Sequence, residues 1–245
     1  MFGVSSPRSR VLEIGCGQGF NVSVLSRRKK AVGVDLSADN IAIAGQRYPD
    51  CDFRVMDISK MEFEDCEFDE CYALDVLEHV DDVDAVVAEV GRILRDDGTF
   101  VVNVPAEKSE GWLLRIRPTY FEEIHHVRIF RGDDLPNLVT RHGFRLKKTR
   151  RRGFIQHLEL YTMFRTTKRS STQVSIGSWR DSWLTRTIHI AALFGDPIIL
   201  QTPAVWFPLW VFTIPIGQLV DRLGSLFLPK SVYYEFAKNT RPAVG

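Results

Sequence analysis

Three glycines at alternate positions, Gly15, Gly17 and Gly19, follow a carboxylate at Glu13, and three further acids, Asp35, Asp57 and Asp75, recur after short apolar runs. Glycines in that spacing remove Cβ atoms where a backbone must bend and where a ligand must come close. If a helix opens just beyond them, its first N–H groups face whatever lies over the turn. The spacing is GxGxG, not the GxGxxG of dinucleotide folds, and the acid precedes the first glycine by two residues. The chemistry indicated is the holding of a ligand. Proton transfer, where a reaction needs it, falls by side-chain type to His79, His125 or His126.

These residues need elements that bring them to one place. Val11, Leu12 and Ile14 read as a short buried strand running into the glycine turn, with a helix over 20–26. Residues 31–35 read as a second strand ending in Asp35, and Ser37 is a helix N-cap for 38–47. Further strands follow at 52–55, 68–74 and 99–104. Val83, Val86, Val87, Val90, Ile93 and Leu94 recur at helical spacing over 78–94, and Asp96-Asp97-Gly98 stops that helix. The alternation predicts the α/β class, with an open, mostly parallel sheet covered by helices. Ligands in such sheets bind beyond the carboxyl ends of the strands. Glu13, Gly15, Asp35, Asp57, Asp75 and Pro105 all fall at those ends, so five strands aim at one rim.

Downstream the pattern changes. Residues 106–129 carry aromatics, arginines and His125-His126 without a clear period, and are expected to form a loop or lid. A helix over 131–142, a basic strand over 144–151 and a last strand over 157–165 would close the sheet as an antiparallel hairpin. The Ser/Thr-rich stretch 168–178 reads as a linker. Beyond it, Pro197 to Val220 contains no formal charge, long enough to span a bilayer. Pro203, Pro208 and Pro215 argue against one straight helix, so broken helices lying in a membrane interface are expected. Trp179, Trp183, Trp206 and Trp210, with Arg222 and Lys230, are residue types favoured there. An apolar cap over the domain or an oligomer interface is the alternative. Arg145, Lys147, Lys148, Arg150, Arg151 and Arg152 suit lipid headgroups or RNA, or simply a charged, solvated edge strand. No aromatic residue interleaves them, which speaks against single-stranded nucleic acid.

With 245 residues and 44% apolar content, the chain can bury a sizeable core, which excludes global disorder. Lys plus Arg (32) nearly balances Asp plus Glu (31), so any basic patch is local. Cys16, Cys51, Cys66 and Cys71 show no CxxC spacing, consistent with a reduced, cytoplasmic setting. Residues 1–9 are too short and polar for a signal peptide, so no export is implied.

The run Val11-Leu12-Glu13-Ile14-Gly15-Cys16-Gly17-Gln18-Gly19, then Val32-Gly33-Val34-Asp35-Leu36-Ser37, Met56-Asp57 and Ala73-Leu74-Asp75-Val76-Leu77-Glu78-His79-Val80, resembles the class I S-adenosylmethionine-dependent methyltransferases in order and spacing. The resemblance covers roughly residues 8–166, and 126–144 is similar to the family's closing helix and strand. It implies a Rossmann-like seven-stranded domain over 1–167, a linker over 168–178 and a hydrophobic appendage over 179–245 that docks on a membrane or covers an apolar acceptor. It implies S-adenosyl-L-methionine as cofactor, held by Glu13, Gly15, Cys16, Gly17, Gly19, Asp35, Leu36, Asp57, Ile58, Leu74 and Asp75. In that reading Glu13 lies near the cofactor's ammonium, Asp35 accepts from both ribose hydroxyls, Asp57 accepts from the adenine amino group, Ile58 packs on the ring and the backbone at Leu74 and Asp75 lines the methionine end. His79 and His126 are the candidate general bases, and the acceptor is a small or lipid-like molecule. The structural alternatives are that Glu13 merely orients the turn, that Asp75 caps the following helix and that the histidines support their own loops. About nine residues precede the first strand where relatives carry a further helix, so either the start is truncated or the tail supplies that cover. Two rival readings are a membrane-tethered, non-catalytic cofactor-binding module and a nicotinamide-dependent oxidoreductase. The second would want the longer glycine spacing.

Overall fold

The computed structural model describes residues 9–154 and 219–240. In chain order the elements are β1 (Arg10–Ile14), α1 (Phe20–Ser26), β2 (Lys30–Asp35), α2 (Ala38–Arg47), β3 (Asp52–Val55), β4 (Phe68–Leu74), a 3-10 turn (Leu77–His79), α3 (Val83–Ile93), β5 (Leu94–Pro105), α4 (Glu107–Ile116), α5 (Tyr120–Ile124), α6 (Asp134–Arg141), β6 (Phe144–Arg152) and β7 (Ser231–Lys238). The chain divides into two compact units. Residues 9–104, 130–149 and 233–240 lie in the first, and 105–129, 150–154 and 219–232 in the second.

The sheet has the order β3-β2-β1-β4-β5-β7-β6. Strands β1 to β5 pair in parallel. Alternate residues of β1 serve opposite faces, as a pleated strand requires. Leu12 and Ile14 pack with Val34, Phe68, Val102 and the buried stripe Val86, Val87, Val90 and Ile93 of α3. Val11 turns to the other face with Val22, Leu25 and Tyr72. A strand buried on both faces must be apolar almost throughout, which is why β1, β2 and β4 read so plainly in the sequence. Helix α2 begins where expected, with Ser37 Oγ accepting from the Asn40 N–H at 3.2 Å.

Four expectations are corrected. Residues 106–129 hold two helices, α4 and α5, in place of a loop: Leu113, Tyr120 and Ile124 pack together with Leu114, Ile116 and Phe121, a periodicity interrupted by Pro118. The helix expected over 78–94 is a 3-10 turn followed by α3, because Asp82 accepts from the Ala85 N–H and starts the α-helix there. The helix expected over 131–142 is shorter, Asp134–Arg141.

The fourth concerns the sheet's edge. Residues 231–238, inside the expected appendage, form β7 and sit between β5 and β6. At one end the Lys230 N–H donates to the Arg152 carbonyl at 2.9 Å, and at the other the Asn239 N–H donates to the Gly143 carbonyl at 2.9 Å. β7 therefore runs antiparallel to β6. The Ala106 N–H donates to the Lys230 carbonyl at 2.8 Å, and Lys238 Nζ donates to the Leu94 carbonyl, so β7 also opposes β5. The mixed, seven-stranded architecture is as expected, but its antiparallel strand comes from beyond the apolar run. The expected strand 157–165, the linker 168–178 and Trp179, Trp183, Trp206 and Trp210 lie outside the described residues.

Candidate functional site

Strand register brings the site residues of the first unit to one level. Ile14 is paired with Val34 on one side and Ala73 on the other, Asp35 is paired with Val55, and Leu74 is paired with Asn103. The glycine turn, Asp35, Met56-Asp57 and Leu74-Asp75 therefore leave the sheet side by side. Backbone hydrogen bonds fix the exits: Cys16 N–H to the Val34 carbonyl at 2.9 Å, Met56 N–H to the Asp35 carbonyl at 3.0 Å and Asp75 N–H to the Asn103 carbonyl at 3.0 Å.

Asp35 organises the turn. Its Oδ2 accepts the Gly17 N–H at 2.8 Å, while Oδ1 accepts the Ser37 N–H at 2.9 Å and Asn40 Nδ2 at 3.4 Å. One half-buried carboxylate thus ties the glycine turn to the start of α2. Leu36 beside it is 75% exposed, an apolar side chain presented at the rim.

The glycines of the turn have different causes. Gly15 has φ +64°, and a Cβ there would lie 2.5 Å from Val76 Cγ2, so its bareness makes room for the protein's own side chain. At Gly19 the same role falls to Phe53, 2.5 Å from the built Cβ position. Gly17 has φ +51° and nothing within 4 Å of its Cβ position. The open approach is at Gly17.

Glu13 is buried at the end of β1, with Oε1 accepting from Asn21 Nδ2 at 2.8 Å. Its Oε2 is buried and accepts no hydrogen bond among the described residues. Burial pushes its pKa up to about 7, against the pull of the Asn21 and Val22 hydrogen bonds. Burial also pushes the Cys16 thiol up to about 12, helped by the charges of Glu13 and Asp35. Cys16 therefore stays a thiol and packs beneath the turn, with no role as a nucleophile.

Elsewhere on the rim, exposed Asp57 accepts the Ser59 N–H at 2.8 Å and the Ser59 hydroxyl at 2.7 Å, which together hold its carboxyl below the usual range. Ile58 packs against the core with one side. Asp75 has φ +56°, and its Oδ1 accepts from Asn103 Nδ2 at 2.7 Å. It does not cap α3; Asp82 does.

Of the histidines, His79 ends the 3-10 turn after β4 and is exposed. His125 is exposed and holds the left-handed position after α5. His126 belongs to the second unit, where its buried ring places Nδ1 2.8 Å from Oε2 of equally buried Glu110, with Tyr120 and Phe121 edge-on to the imidazole. Sequence reasoning missed Asn21, Asn40, Asn103 and Glu110, the partners that orient these groups. A polar Asn103 inside the apolar run 100–104 was the one legible signal.

A sequence-family profile described as "Methyltransferase domain" matches residues 12–102. The chain is 28% identical over 142 residues to a "Probable S-adenosylmethionine-dependent methyltransferase" of Mycolicibacterium smegmatis, covering 57% of this chain and 53% of that protein. It is 36% identical over 112 residues to a "Ubiquinone biosynthesis O-methyltransferase" of a Bradyrhizobium strain, covering 44% of each. The chain thus spans about half the length of these curated relatives. Among solved structures, a geranyl diphosphate methyltransferase in complex with SAM shares the fold, with a TM-score of 0.60 and 17% identity over 97% of this chain and 81% of that one.

Proposed function

Because this chain belongs, through residues 12–102, to the class I S-adenosylmethionine-dependent methyltransferases, we propose that it transfers a methyl group from S-adenosylmethionine to a small-molecule or lipid-like acceptor. The observation that carries the reading is the Asp35 carboxylate at the end of β2, clamping the Gly17 N–H of an open glycine turn. The residues fit the cofactor. Glu13 offers a buried, unsatisfied carboxylate oxygen, which an ammonium would satisfy. Gly17 has no protein atom over its Cβ position, and exposed Leu36 offers an apolar contact beside the acid suited to ribose hydroxyls. Gly15, Cys16 and Gly19 shape the turn from beneath, and Asp57, Ile58, Leu74 and Asp75 complete the proposed contacts along the rim.

When bound, the cofactor supplies a methyl group already activated by the sulfonium charge. The chain's own contribution is then to bind, orient and exclude water. A base is needed only for an acceptor that carries a proton on its reacting atom. For that role the reading assigns His79 or His126. The 2.8 Å contact between His126 Nδ1 and Glu110 Oε2 suits the tautomer with its proton on Nδ1 and its lone pair on Nε2, since a carboxylate accepts.

The lipid-like acceptor is supported by the ubiquinone-biosynthesis relative and by the geranyl diphosphate enzyme that shares the fold. A membrane surface is the proposed source of such an acceptor. No helix among the described residues is long and apolar enough to cross a membrane.

Calorimetry with S-adenosylmethionine and its demethylated product tests the cofactor reading. Wild-type chain should bind, and Asp35→Ala should bind at least about tenfold more weakly, because the Gly17 and Ser37 N–H groups and the ribose hydroxyls lose their acceptor together. Tight NADH binding in its place would overturn the reading. Radiolabelled transfer to lipid, quinone and phenolic extracts then finds the acceptor, and His126→Ala should lower turnover about 100-fold or more if its imidazole takes the proton.

A further inference from the structure

Residues 219–227 are helical, and their apolar side chains point away from what holds the helix in place. Leu219, Val220, Leu223, Leu226 and Phe227 are all exposed, Phe227 the most at 75%. At 100° per residue these five fall within a single arc of about 120°. The other side is fastened. Asp221 Oδ2 accepts from the Gly153 N–H at 3.4 Å, Ser225 Oγ accepts from the Phe154 N–H at 3.2 Å, and Gly224 lies against the Phe154 ring with no room for a Cβ. An ordinary surface helix buries its apolar stripe and shows its polar one; here the polar side is anchored and the apolar side is shown. Single exposed apolar residues are common, but five on one arc mark a contact surface.

Charge says which contact. Arg151, Arg222 and Lys230 of the same unit are exposed, while the one acid of the helix, Asp221, is occupied by a backbone amide. The helix also continues, in sequence, the uncharged run Pro197 to Val220 with its Trp206 and Trp210. The arc is apolar, Arg222 falls about 40° beyond its Leu226 edge, and Arg151 and Lys230 add exposed cations to the same unit; such a surface complements an anionic bilayer, whose headgroups attract each nearby cation and whose acyl boundary accepts the apolar side chains.

We propose that the 219–227 helix is an interfacial anchor, lying in the headgroup layer of an anionic membrane with Leu219, Val220, Leu223, Leu226 and Phe227 in the acyl boundary. It rests on the membrane-surface part of the reading above and is independent of the transfer reaction. The test is flotation of the full chain with vesicles of phosphatidylglycerol and phosphatidylcholine, and with phosphatidylcholine alone. Wild-type chain floats with the anionic vesicles, and its binding falls as salt rises. Leu223→Asp combined with Phe227→Asp lowers the bound fraction about tenfold, and Arg222→Glu combined with Lys230→Glu lowers binding to the anionic vesicles alone. Calorimetry with the demethylated cofactor, run on each variant, checks that the sheet is intact. A wild-type chain that does not float, or an apolar double variant that floats equally well, overturns the anchor. So does a concentration-dependent dimer that the same variant dissolves while flotation persists, since the arc would then face a second copy. A chain that floats without binding cofactor supports the anchor and overturns only the transfer reading.

Discussion

Glu13 titrates near neutrality because it is buried, and the sign of that shift has consequences. Between about pH 4.5 and about 7 the folded chain holds the proton that the unfolded chain has lost, so stability declines as pH rises through that window and levels off above it. The full effect is on the order of 3 kcal/mol. Urea unfolding at pH 5.5 and 8 should therefore show a less stable wild type at the higher pH, and Glu13→Gln should remove the difference; an unchanged slope would assign it to another group. A bound cation beside Glu13 favours its ionised form, so below pH 7 cofactor binding should release a proton, read as a binding enthalpy that varies with the buffer. The neighbouring glycines separate in the same spirit. Gly15→Ala collides with Val76 and should cost about 2 kcal/mol or more of stability. Gly17→Ala meets no neighbour, carries only the left-handed penalty of about 1–2 kcal/mol, and should show its larger effect in cofactor affinity. The identity of these residues is legible because glycine and acid spacing is local. Their distant partners are not: Val76 reaches Gly15 and Asn103 reaches Asp75 through a fold that no short window encodes.

Strands β1, β2 and β4 followed from pattern because each is buried on two faces, so sequence period and burial agree, whereas α3 ends at Ile93 and Asp96-Asp97-Gly98, expected to stop that helix, lie inside β5. Ala38–Arg47 and Phe68–Leu74 are found at the expected bounds. The closing strand failed that logic. Tyr234 and Phe236 alternate correctly, with Phe236 fully buried beside Phe100. The apolar run just before them nevertheless drew the whole stretch toward the lipid, and the strand's partners lie far upstream. This strand is structural, so damage to it should appear as instability. Phe236→Ala should cost about 3–5 kcal/mol in denaturant unfolding. A loss under 1 kcal/mol would mean that β7 contributes little to the sheet. In the second unit, α4 and α5 were hidden by Pro118 and a mixed charge pattern, although Leu113 and Tyr120 make the small core that holds Glu110 and His126 near each other.

At the scale of the whole molecule, residues 153–230 leave the sheet from β6 and return to it at β7, with the Arg152 carbonyl and the Lys230 N–H 2.9 Å apart. The intervening chain is thus an excursion with both feet in one sheet, and ending the chain ahead of the apolar segment would remove β7, an interior strand, along with it. A chain in which a short Asn-Gly hairpin joins residue 152 to residue 230 should keep the seven strands, bind the demethylated cofactor as the full chain does and lose vesicle flotation. Failure to fold would show that the excursion contributes to the core. The same geometry sets an order in time. During synthesis β6 leaves the ribosome roughly 80 residues ahead of its neighbour, which at about 5–20 residues per second is a wait of several seconds. Throughout that interval β5 and β6 present unpaired edges while the most apolar part of the chain is emerging, so the nascent protein passes through its most adhesive state immediately before the strand that ends it. Premature termination anywhere in that stretch would leave the cell with an open sheet attached to a greasy tail, a product suited to chaperones and proteases and not to chemistry.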